Sequence, residues 1–179
     1  MKTHYNKLLL AFLFLILAIF AAGGCGPPEN GPYAEYYDNG KKKWEGHYKN
    51  GELDGVWTRW YENGQKSLEG NYKNGMEYGP FVQYFENGKK SVESHYKDGK
   101  YDGLLTQWFD NGKKQLEAHY KDGEPDGLWT GWHENGQKMY ETHWKNGKKD
   151  GLMTEWDKDG NKIEEVLYKD GGIISRKEF

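Results

Sequence analysis

The sequence predicts an all-β fold: tandem 24-residue β-hairpin repeats forming one elongated, twisted antiparallel meander sheet. Three observations carry that prediction. Gly31, Gly55, Gly79, Gly103, Gly127 and Gly151 recur every 24 residues without insertion, so that GVWTRWYENGQKSLEGNYKNGMEY from Gly55 is restated as GPFVQYFENGKKSVESHYKDGKYD from Gly79. Within each unit, two short runs of aromatic and β-branched residues are separated by Asn-Gly or Asp-Gly, dipeptides that tolerate positive φ and close hairpins. A fixed period of this size marks an array whose units bury surface only by stacking on their neighbours.

Residues 1–24 differ in kind. Lys2 and Lys7 precede an apolar run from Leu8 to Phe20, too short for a comfortable membrane span, and Ala21-Ala22-Gly23-Gly24 leads to Cys25. This is the pattern of a secretory signal. It resembles a bacterial lipoprotein signal, in which Cys25 is lipidated and becomes the first mature residue, although Ala22 stands where that box most often has leucine. The resemblance implies an extracytoplasmic, membrane-anchored lipoprotein of the bacterial envelope. Residues 25–30, with Pro27 and Pro28, then form a short extended tether. The single cysteine cannot build an internal disulfide framework. Without residues 1–24 the chain has 23 Lys and Arg against 28 Asp and Glu, a net charge of about −5, and no basic cluster. It lacks the electrostatic footprint of a nucleic-acid binder.

The array occupies residues 31–174, six units, and leaves a tail at 175–179. The first turn of each unit carries Asn39-Gly40, Asn63-Gly64, Asn87-Gly88, Asn111-Gly112, Asn135-Gly136 or Asp159-Gly160; the second carries Asn50-Gly51, Asn74-Gly75, Asp98-Gly99, Asp122-Gly123, Asn146-Gly147 or Asp170-Gly171. Loop length decides which side chains share a face. A three-residue tip such as Glu62-Asn63-Gly64, with glycine in a bulge, groups Val56, Thr58 and Trp60 with Leu68 and Tyr72, which a two-residue loop would not. The same demand predicts an odd link between units, five residues such as Asn74 to Tyr78. Twelve strands follow, with Ile173-Ile174 as a partial strand and Arg176-Lys177-Glu178 guarding the open edge.

On this expectation one face carries the Trp60 and Tyr72 columns as the stabilising layer. The other mixes a Glu column (Glu45 to Glu165) and four histidines (His47, His95, His119 and His143) with rings. The longest apolar strip on that mixed face is Trp57, Tyr61, Phe81, Phe85, Leu105 and Phe109, the candidate partner-binding residues. Rings on a pleated surface also stack simply for stability. An apolar strip rimmed by Glu and Lys suits a protein segment, and stacked Trp and Tyr suit a cell-wall glycan.

Glu-x-His recurs as Glu45-His47, Glu93-His95, Glu117-His119 and Glu141-His143, which places both side chains on one strand face. A closed zinc site needs further ligands at about 2 Å, whereas the next unit's pair is about 10 Å away. No metal site, cofactor or nucleophile–base pair is expected, and hence no enzyme.

The pattern G-x-W-T-x-W-Y-x-N-G-x-K-x-x-E-x-x-Y-K-N-G, read at residues 55–75 and restated in the other units, resembles the MORN-repeat variant of bacterial proteins, some grouped as YwqK-type toxin–antitoxin antitoxins. The resemblance implies tandem β-hairpins and a role in protein contacts or membrane association. It leaves open an antitoxin that neutralises a partner toxin.

Overall fold

The computed structural model describes residues 26–179, so the lipoprotein-like segment and Cys25 lie outside the described residues. These form an all-β chain with no helix, in a single 16-stranded antiparallel sheet. The strands are β1 (Gly31–Tyr36), β2 (Lys42–Lys49), β3 (Glu52–Leu53), β4 (Gly55–Trp60), β5 (Lys66–Lys73), β6 (Met76–Tyr84), β7 (Lys90–Lys97) and β8 (Lys100–Tyr101). They continue as β9 (Gly103–Trp108), β10 (Lys114–Lys121), β11 (Glu124–Trp132), β12 (Lys138–Lys145), β13 (Lys148–Lys149), β14 (Gly151–Trp156), β15 (Lys162–Lys169) and β16 (Gly172–Glu178). The sheet order is β1-β2-β4-β5-β6-β7-β9-β10-β11-β12-β14-β15-β16, with β3, β8 and β13 pairing with β2, β7 and β12.

The count exceeds the expected twelve for a local reason. Asp54, Asp102 and Asp150 turn their N–H groups to the carbonyls of His47, His95 and His143, and the short strands β3, β8 and β13 are thereby split from β4, β9 and β14. The C-terminal residues form a full seven-residue strand, β16, instead of a partial one.

The hairpin tips have the expected three-residue loop. In the second unit the Gly64 N–H donates to the Tyr61 carbonyl (2.9 Å) and the Tyr61 N–H to the Gln65 carbonyl (2.8 Å), with Gly64 at φ 93°. The links differ from the expectation. Lys73 pairs directly with Met76, so the loop is the two-residue Asn74-Gly75, both residues at positive φ (50° and 74°). That is the hairpin turn whose twist matches the strands. Each link is tied to the one before it, as where the Gly75 N–H donates to the Leu53 carbonyl (2.9 Å).

The faces are regrouped as well. Arg59 pairs with Leu68 but Trp60 with Lys66, which leaves Ser67 as an extra residue beside the tip. This bulge cancels the odd count of the three-residue loop, and the even link then preserves parity between units. Trp57 consequently pairs with Gly70 and shares a face with Leu68 and Tyr72, whereas Val56, Thr58 and Trp60 share the other face with Glu69.

On the first face, large residues of one strand alternate with small residues of the next: Trp57 with Gly70, Phe81 with Ser94, Leu105 with Ala118, Trp129 with Thr142, and Met153 with Val166. Phe81, Leu105, Ala118 and Val166 form the apolar core. On the second face, the row Thr58, Thr106, Thr130 and Thr154 is buried between glutamates.

Candidate functional site

The ring face carries one continuous aromatic ladder. Trp44 stacks on Trp57 with centroids 4.4 Å apart; Trp57, Tyr72, Phe81 and Tyr96 follow edge to face at 5.2–6.3 Å. Tyr101, Tyr120, Trp129 and Trp144 extend it at 4.5–5.3 Å. These are separations at which offset and T-shaped ring pairs attract. The ladder forms because strands stand about 4.8 Å apart and because the residue beneath a ring is small. A Cβ on Gly46 would stand 2.5 Å from Trp57, and one on Gly70 would overlap the Phe81 ring.

The ladder ends in the sixth unit. Met153 replaces the ring there, and the Lys149 ammonium caps the end, 5.9 Å from the Trp144 centroid and 4.9 Å from that of Tyr168. Burial pushes the phenols of Tyr48, Tyr72, Tyr96, Tyr120 and Tyr140 above the usual tyrosine range. For Tyr96 the neighbouring Tyr101 hydroxyl adds to the effect.

Of the six residues predicted for docking, the structure brings Trp57, Phe81 and Leu105 into the ladder row. They stand beside Leu68 and Tyr72, not among the glutamates and histidines. Phe81 is 6% and Leu105 5% exposed, so both support neighbouring rings and present no open strip. Tyr61, Phe85 and Phe109 close the hairpin tips, and the Tyr61 hydroxyl donates to the Tyr84 carbonyl of the next unit (2.6 Å). Absent from the predicted strip were the other rings of the ladder: Trp44 and Tyr72, which contact Trp57, and Tyr101 and Trp129 farther along. The small residues Gly46, Gly70, Ser94 and Ala118 were the signal for them, because a large ring needs room on the adjacent strand.

The opposite face is ionic, with aliphatic side chains and the rings of Trp60, Trp132 and Trp156 among the charges. In every unit a lysine pairs with the glutamate three residues on, from Lys42–Glu45 (2.5 Å) through Lys90–Glu93 (2.9 Å) to Lys162–Glu165. Lys42, Lys114 and Lys138 also lie 5.2–5.9 Å from the rings of Trp60, Trp132 and Trp156. The glutamates of the Glu-x-His pairs are thus engaged by lysines, and among the described residues no group of three or more His, Cys, Asp or Glu could hold a metal.

Fold and ladder define a single-sheet β-repeat protein, built to present surface. The MORN repeat variant family matches the chain six times, at residues 29–50, 53–74, 77–98, 101–122, 125–146 and 149–170, and the chain belongs to that family. Comparison with curated proteins gives no significant match.

Proposed function

We propose that the protein is a non-catalytic scaffold, held at an envelope membrane by a lipid on Cys25, whose ring face docks a segment of a partner protein. The observation that carries this reading is the ladder itself: half-buried tryptophan and tyrosine rings run from Tyr33 to Trp144 on one face of a single-layer sheet. Such rings dominate the energetics of protein interfaces. Repeats of this family generally contact proteins or membranes, which supports the same reading. The sequence around Cys25 supports the anchor.

Crosslinking with mass spectrometry on membranes carrying the tagged full chain tests the docking face. Two variants are compared with wild type: Trp57→Leu with Trp129→Leu on the ring face, and Val56→Ser with Leu104→Ser on the other. Loss of a defined protein only in the first supports the proposal; retention there, with the fold intact by thermal melting, overturns it. Cys25→Ser is expected to leave the membrane fraction and to lose lipid labelling. Growth rescue against a toxin, or co-sedimentation with wall material, would instead favour the antitoxin or glycan reading.

A further inference from the structure

A segment docked on the ladder can add no strand to the sheet. From β2 to β15 the strands along the main path are already paired on both sides, so the ligand's own backbone N–H and C=O groups must stay in water. Polyproline II is the extended conformation that allows this, having no internal hydrogen bonds and a solvated backbone. It also repeats at the pitch of the ladder. Tyr48, Tyr72, Tyr96, Tyr120 and Trp144 hold one place in successive units, each paired with the glycine that opens its unit, and successive members lie two strands apart. Two strand spacings come to about 9.6 Å, and one three-residue turn of polyproline II rises about 9.3 Å. Over the four steps from Tyr48 to Trp144 the two drift apart by about 1 Å. Two turns of α-helix per step drift by about 5 Å over the same run. A β-strand covers each step in about three residues, which turns its side chains to the opposite face each time.

The rings supply clefts. Trp44 and Trp57 lie 24° from parallel, whereas the other neighbouring pairs are inclined by 37–90°. Inclined rings leave gaps that suit a pyrrolidine ring, the mode in which aromatic-lined grooves hold proline-rich peptides, and they form no flat plate for a sugar. Each tyrosine of the column carries one phenol O–H, a donor for one ligand carbonyl per turn.

Charge gathers where the ladder stops. In the row along its tip side, after Arg59, the residues from Leu68 and Gln83 through Gly131 and Tyr140 are uncharged. Along the link side, Glu77 is the one charge before Lys149. Glu155, Glu164 and Glu178 then follow one another on adjacent strands of the tip-side row. The two cations nearby are engaged: Arg176 pairs with Glu164 at 2.9 Å, and Lys149 lies over the rings of Trp144 and Tyr168. Glu155 and Glu178 are left to meet a cation from outside, which the uncharged run before them would guide to one end of the ligand.

We infer that the ladder face binds a proline-rich segment in the polyproline II conformation, about four turns long, with a basic residue just beyond the last ring. This rests on the docking reading above and names its partner. The probe is a synthetic peptide of four Pro-Ala-Pro repeats with Arg-Arg at both ends, titrated calorimetrically into the full chain in detergent beside the same peptide with glycine for every proline. Wild type is expected to bind the first saturably and about tenfold more tightly than the second, because the glycine chain must be ordered on binding. Tyr72→Phe with Tyr120→Phe, which keeps the rings and removes two hydroxyls, is expected to weaken binding about threefold or more without lowering the melting temperature. Glu155→Gln with Glu178→Gln is expected to weaken it and to flatten its salt dependence. Equal affinity for the two peptides, no saturable binding by wild type, or binding of chitohexaose in place of the peptide would each overturn the inference. The crosslinking comparison keeps the two readings apart. A partner held on the ring face through a segment without proline would leave docking standing and sink this inference, whereas no partner and no peptide binding would end both.

Discussion

The second and third units and the sixth solve the same packing problem in opposite ways. In the former, Trp57 and Phe81 lie over strands that offer only Gly46 and Gly70, and the volume is in the rings. In the sixth, Met153 faces Val166, which is 1% exposed, and the volume has moved to the opposing strand. The sum across a strand pair is held while its parts trade, as close packing requires. In the fourth unit, where Leu105 faces Ala118, Tyr101 carries the ring contacts onward; the sixth unit has Met153 and Lys149 at these two positions, so the ladder belongs to the first five units.

The comparison can be broken most severely at a ring. Phe81→Ala should destabilise the fold by about 3–5 kcal/mol, read from denaturant unfolding, because it removes a covered aromatic and two ladder contacts. Gly70→Val, which gives the second unit the residue that Val166 is in the sixth while keeping Phe81 above it, should cost about 1–3 kcal/mol by overpacking. Pairing it with Phe81→Met should recover a measurable part of that loss in a double-mutant cycle, since a flexible methionine yields the space that the Phe81 ring denies to a Cβ at position 70.

Alkaline pH separates the regions again. The folded state holds Tyr96 above its ordinary value, chiefly by burial. A group raised in this way contributes stability that is complete below the unfolded phenol value of about 10 and is lost as pH rises from there towards the folded value. Melting temperatures should therefore be flat across neutral pH and fall above about pH 10, less steeply in Tyr96→Phe. Smallest of all, Lys114→Ala breaks an exposed ion pair with Glu117 and should change stability by no more than about 1 kcal/mol.

Much of the fold was legible because it rests on local chemistry. The 24-residue period, the strand class and the three-residue tip follow from glycine spacing and from Asn-Gly and Asp-Gly dipeptides, whose backbone preference is intrinsic. The face assignment was not legible, since it depends on parity. Ser67 looks like any strand residue, yet as a bulge it moves Val56, Thr58 and Trp60 away from Leu68 and Tyr72. The expected strip changed accordingly: Trp57, Phe81 and Leu105 do share a row, but with other neighbours, and two of them are covered.

By itself the sequence determined an array of six hairpin units and the kinds of residue available to each face, because turn propensity and periodicity act within a few residues. Tertiary structure alone decided which residues share a face and where the ladder stops. Those outcomes depend on register between strands, and register is settled only when every bulge and link is summed across the sheet.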